Sequence, residues 1–137
     1  MASRIPDVPI NVHNQITIRL TADNYLYWRT QVDPILRSNL IYGFVDGSLP
    51  CPSDVIEVLG DDGKPTSTTS NPKFGLWIQQ DQAILSAIVS SLTEGTLGLV
   101  MNNQSSQEAW ENLEASFASQ SSARVMQILQ GQEARLP

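Results

Sequence analysis

Apolar positions along the chain follow two periods. Ile16, Ile18 and Leu20 alternate with Thr17 and Arg19. That is the two-residue period of extended chain, so residues 16–20 are expected to form a short strand or an extended docking segment. The period then changes. Tyr25, Trp28, Val32, Ile35 and Leu36 recur at three- and four-residue spacing, which places them on one helix face. Thr21 and Asp23 offer capping side chains before it, and the helix is expected over residues 24–38. Pro34 conflicts with that pattern, because proline removes a backbone donor and crowds the preceding turn. A kink or break near Val32 and Asp33 is therefore expected. Leu40-Ile41-Tyr42-Gly43-Phe44-Val45 closes the unit, with Asp46-Gly47 as a turn pair.

Residues 48–70 lose both periods. They hold Pro50, Pro52, Pro65 and the run Gly60-Asp61-Asp62-Gly63. Val55-Ile56-Glu57-Val58-Leu59 reads as one arm of a small β-hairpin at about 55–68, turning at Asp62-Gly63. The helical period returns after Asn71, an N-cap residue, and Pro72, suited to the first helical position. Phe74, Trp77, Ile78, Ile84, Leu85, Ile88 and Leu92 form a wide stripe, and this helix should end near 90–92. Asp81 falls inside the stripe; it is expected at the margin, or bonded to a backbone donor or an arginine. Thr93-Glu94 caps a shorter helix through Met101, weakened by Gly95 and Gly98. Ser105-Ser106-Gln107-Glu108 fits the S-x-x-E capping box and precedes Ala109, Trp110, Leu113 and Phe117 on one face. A last helix is expected from about 122 to 130.

The expected fold is mainly α: a compact bundle of about five helices with a short N-terminal extended segment and the hairpin. The expected divisions are a flexible N-terminal arm over 1–15, a helical domain over 16–132, and a tail or truncated end over 133–137. Trp28, Trp77 and Trp110 each open a stripe on a different helix and, with Tyr25 and Phe117, are the expected core anchors. Val125, Met126, Leu129 and Leu136 lie where little chain remains to cover them. They are the candidate interface, packing on further chain or on a second copy.

Composition narrows the chemistry. Hydrophobic residues make up 41% of the 137 positions, enough for a core. No run approaches the ~20 apolar residues of a membrane span, and Met1-Ala-Ser-Arg-Ile-Pro6 lacks the apolar segment of a secretory signal. One cysteine and one histidine, Cys51 and His13, cannot supply a four-ligand zinc site or an internal disulfide. A reducing compartment follows: cytoplasm, with the nucleus open. The net charge is −6, from 8 basic and 14 acidic residues, and the basic ones are scattered with no two adjacent. A nucleic-acid surface gathers them on one face. There is no phosphate-binding glycine loop, nucleophile elbow or H-E-x-x-H helix. Asp61-Asp62-Gly63 reads as a solvated loop. No cofactor and no enzyme activity are expected.

The order of the motifs then carries a resemblance. Ile18-Arg19-Leu20-Thr21, Asn24-Tyr25-Leu26-Tyr27-Trp28-Arg29 and Val45-Asp46-Gly47-Ser48 come first. Asn71-Pro72-Lys73-Phe74 leads to Trp77 and Asp81. Glu108-Ala109-Trp110-Glu111-Asn112-Leu113, Phe117-Ala118-Ser119-Gln120-Ser121 and Ala123-Arg124-Val125-Met126 follow. Over about residues 10 to 130 this resembles the N-terminal gag polypeptide region of plant Copia-type LTR retrotransposons, and Pro34 fits that pattern. The resemblance implies a capsid-like helical domain that self-associates around the element's RNA. It also implies further helices, a Cys/His zinc knuckle, protease, integrase and reverse transcriptase beyond this point, none of which the chain contains. The chain therefore reads as a piece of such a polypeptide or a shortened gag-derived protein. The expected partner is a second copy or another protein, with RNA association left to segments outside this chain. A domesticated, gag-derived host protein that binds another protein, and a nucleic-acid-binding gag fragment, stay open as alternatives.

Overall fold

The local signals around Asn71 set the longest helix. In the computed structural model, which describes residues 11–119 and 126–131, the Asn71 side chain accepts a hydrogen bond from the Lys73 amide at 3.1 Å. Pro72, with no amide hydrogen to leave unsatisfied, begins the helix. The described elements run in the order α1 (Tyr25–Ser38), α2 (Gly43–Asp46), β1 (Val55–Leu59), β2 (Pro65–Ser70), α3 (Pro72–Ser90), α4 (Glu94–Leu97) and α5 (Ser106–Ser116). Residues 126–131 are again helical. The fold is mainly helical with one small two-stranded antiparallel sheet.

Helix α1 does not break at Pro34; its span is continuous from Tyr25 to Ser38. Pro34 and Thr30, whose carbonyl would have received the missing N–H, are both exposed, so the missing bond lies on the open side of the helix. The helix ends in a paired motif: the Leu40 amide donates to the Arg37 carbonyl and the Ile41 amide to the Leu36 carbonyl. This geometry needs a left-handed residue, supplied by Leu40 at φ 60°. The chain then turns back so that Ile41, Phe44 and Val45 are buried. Gly47, at φ 83°, closes α2.

The hairpin pairs Val55 with Ser70 through Leu59 with Pro65, with a register irregularity at Val58 and Leu59. It turns through a five-residue loop, the Gly60 amide donating to the Lys64 carbonyl at 2.8 Å. That is wider than the expected two-residue Asp62-Gly63 turn, and β2 runs on to Ser70, past the expected end at 68. Every residue of both strands is exposed. The expected helix through Met101 is a single turn, α4; beyond Gly98 the chain continues in three-residue turns, Leu99 to Thr96 and Val100 to Leu97.

The core gathers where α1, α2, α3 and α5 meet. Trp28 is fully buried and its indole N–H donates to the Ser91 hydroxyl at 3.0 Å. Its ring lies 5.7 Å from that of Trp110. Tyr25 stacks on Phe117 at 4.9 Å and Phe44 on Trp77 at 5.2 Å. The Trp77 indole N–H reaches the Leu49 carbonyl at 3.0 Å. The Trp28 and Trp77 indoles thus keep their polar ends bonded while their faces join the core.

The segment at 16–20 is a docking segment more than a strand. Its one ladder contact is a parallel bridge from Leu20 to Leu92, with the Leu20 amide donating to the Ser91 carbonyl at 2.7 Å. The Leu20 carbonyl accepts from the Thr93 amide and from the hydroxyls of Thr93 and Thr96. Val12, placed by sequence in the N-terminal arm, is fully buried, and residues 1–10 lie outside the described chain.

Candidate interaction surface

The five anchors named from sequence, Tyr25, Trp28, Trp77, Trp110 and Phe117, are all buried. Of the four candidate interface residues, Met126 and Leu129 are 54% and 49% exposed; Val125 and Leu136 lie outside the described residues. Ile128, adjacent to them, is 52% exposed. Residues 126–131 therefore form a short helical segment whose large apolar side chains are about half exposed.

An open groove runs between α1 and α5. Leu26, Pro34, Ala115 and Ala118 supply its apolar lining. Its polar part is built on the helical spacing of Tyr25, Arg29 and Asp33, each four residues from the next. Arg29 donates to both Asp33 oxygens, at 2.9 and 3.1 Å, and to the Tyr25 hydroxyl at 2.8 Å. It also reaches Glu114 on α5 at 3.7 Å. Its guanidinium lies 4.6 Å from the centre of the Trp110 ring, a cation over an aromatic face. Burial works against the Arg29 charge, but the bonds to Asp33 and Tyr25 outweigh it and hold its pKa above the usual arginine value. Burial raises the Tyr25 pKa, opposed by the Arg29 hydrogen bond. The cluster is a charge clamp that ties α1 to α5. Composition alone gave no reason to single out Arg29; the i, i+4 run Tyr25-Arg29-Asp33 is the signal that marks it.

Asp81 is 2% exposed. Its Oδ1 accepts from the Ser106 amide at 3.1 Å and from the Ser106 hydroxyl at 2.5 Å. Ser106 is the first residue of α5, where unsatisfied amides and the helix dipole favour a carboxylate. The acid therefore joins α3 to the start of α5. Ser105 caps the same helix, its hydroxyl accepting from the Glu108 amide at 3.2 Å. Glu108 reaches back to the Gln104 amide instead of the Ser105 amide, one residue further than the standard box.

His13 and Cys51 are both exposed. Burial first, and then the charges of Asp81 and Asp54, raise the Cys51 thiol pKa, the opposite of what a reactive thiolate needs. Asp62 accepts from the Lys64 amide at 3.0 Å as part of the hairpin turn. Among the described residues no cluster of His, Cys, Asp and Glu is placed to hold a metal ion, and no helix is long and apolar enough to cross a membrane.

Among the described residues, fold and surface together define a small, mainly helical domain whose polar clusters join helix to helix and whose open features include the α1/α5 groove, the exposed hairpin and the half-exposed apolar side chains at 126–129. The sequence model of the gag polypeptide of LTR copia-type elements matches residues 33–132, and the chain belongs to that family. It is 32% identical over 119 residues to the retrovirus-related Pol polyprotein from transposon RE2 of Arabidopsis thaliana. It is 30% identical over 119 residues to that from transposon RE1 of the same plant. The match covers 87% of this chain and 8% of each polyprotein. No solved structure matches the chain.

Proposed function

We propose that this chain is a non-enzymatic assembly module of a Copia-type gag, self-associating through protein–protein contacts toward a capsid-like particle. The observation that carries the reading is the combination of gag family membership over residues 33–132 with apolar side chains left about half exposed at 126–129. Soluble monomers seldom leave contiguous apolar surface open without a partner for it. The action is cytoplasmic, with the nucleus as the alternative site, and RNA is held by segments outside this chain.

The test is multi-angle light scattering of the 137-residue chain over a hundredfold concentration range, with negative-stain microscopy of the concentrated sample. Mass rising with concentration, and particles or partial shells in the micrographs, are expected. A constant monomer mass at every concentration overturns the reading.

A further inference from the structure

The groove between α1 and α5 and the exposed helix at 126–131 are complementary in three respects. The first is polarity: Leu26, Pro34, Ala115 and Ala118 line the groove, and Met126, Ile128 and Leu129 are each about half exposed. The second is charge. The groove carries one basic residue, Arg29, against the acids Asp33, Glu111 and Glu114, whereas in sequence residues 124–135 hold two arginines, Arg124 and Arg135, against one acid, Glu133. The third is need. An isolated helix of this length is unstable in water and persists by packing an apolar face.

We propose that the 126–131 helix of one chain docks, apolar face inward, in the α1/α5 groove of a second copy. This rests on the self-association reading and specifies its contact. The chain between Ala118 and Met126 is long enough for the helix to reach the groove of its own molecule, at up to ~3.5 Å per residue. In the single chain that solution is not taken: the groove is open and no residue of 126–131 lines it. A helix on one face and its receptor on another form a heterologous contact, which repeats from copy to copy instead of closing a two-fold pair. Each copy that joins offers a new helix and a new groove, the connectivity that a ring or shell needs.

The contact can be split into halves in the full chain. Ala115→Arg puts a bulky cation on an exposed groove wall, of the same sign as the flanking arginines. Ile128→Glu with Leu129→Glu spoils the docking face. Light scattering at matched concentration should give a growing series for the wild-type chain and a monomer for each variant, with thermal melting unchanged when all are compared at a dilution where the wild-type chain is monomeric. An equimolar mixture of the two variants should give a discrete dimer, because one retains an intact helix and the other an intact groove, and growth stops there. A wild-type series that both variants reproduce, or a mixture that stays monomeric, overturns the docking while leaving self-association intact. A lower melting temperature of the Glu variant than of wild-type chain diluted to a monomer also overturns it, since the helix would then be seated on its own chain. A wild-type chain that is monomeric throughout overturns self-association and the docking together.

Discussion

Leu40 occupies the left-handed region at φ 60° and is 80% exposed. Both are unfavourable for leucine: its Cβ crowds the carbonyl in that conformation, and its side chain gains no burial. Both follow from the motif that ends α1, which needs a left-handed residue between Asn39 and the buried Ile41. Glycine adopts that conformation without the steric cost, though it gives up more chain entropy on folding. Leu40→Gly is expected to raise stability by about 1 kcal/mol, read as a higher urea midpoint at unchanged slope. A lower midpoint would show that the leucine has packing partners in solution. Residues of this kind mark where sequence reading stops. The Asn71 cap was legible because donor and acceptor lie two residues apart. Asp81 was legible as an acid in an apolar stripe, and its bonding to a backbone donor was among the expected outcomes. Its partner Ser106 is 25 positions away, and no local period announces that pairing.

At the scale of elements, the helices were readable because their apolar stripes repeat, and the extended elements only in part. Pro34 shows a local rule overridden. The expected break does not occur because the missing hydrogen bond falls on the solvent face of α1 while Val32 and Leu36 are buried on the other, and packing on that face holds the helix through. The groove was not legible: its lining comes from residues 25–34 and 111–118, which meet only after α1 and α5 pack. The hairpin was visible in the run Val55–Leu59, but its isolation was not, since nothing local in that run announces that every one of its residues is exposed. A two-stranded hairpin with no cover adds little to a fold. Its base is closed independently by the Asn71 amide bond to the Asp54 carbonyl at 2.9 Å. Replacing residues 56–69 by a Gly-Ser pair should therefore change stability by less than about 1 kcal/mol, a few degrees in melting temperature at this size. A larger loss would mean that the strands brace the helical core. Retained stability with impaired assembly would assign the hairpin to a contact between copies.

Across the whole molecule, charge decides which partners the surface accepts. The net charge is −6, and several of the cations are already engaged. Arg29 is held by Asp33, Tyr25 and Glu114. Arg19 donates to the Leu92 carbonyl at 3.0 Å, and Arg37 lies 3.9 Å from the centre of the Tyr42 ring. Lys64 and Lys73 are on different elements, at the hairpin turn and the first turn of α3. Among the described residues, a phosphate backbone thus meets three engaged arginines and two lysines on different elements. Binding to single-stranded nucleic acid weakens with salt by roughly 0.7 log units per tenfold for each phosphate neutralised. A basic groove making six contacts would therefore show a slope near −4. For this chain the expected result is a slope close to zero and no retention of a labelled single-stranded RNA on filters at about 0.15 M salt, a concentration that already screens charges beyond ~8 Å. The same chain extended to include a basic or zinc-knuckle segment should acquire both the affinity and the slope. A steep slope in the 137-residue chain itself would mean that assembly gathers cations that the single chain keeps apart. Repeating the assay across the concentration range of the light-scattering test identifies that case, because a composite surface binds only where the mass has risen above the monomer.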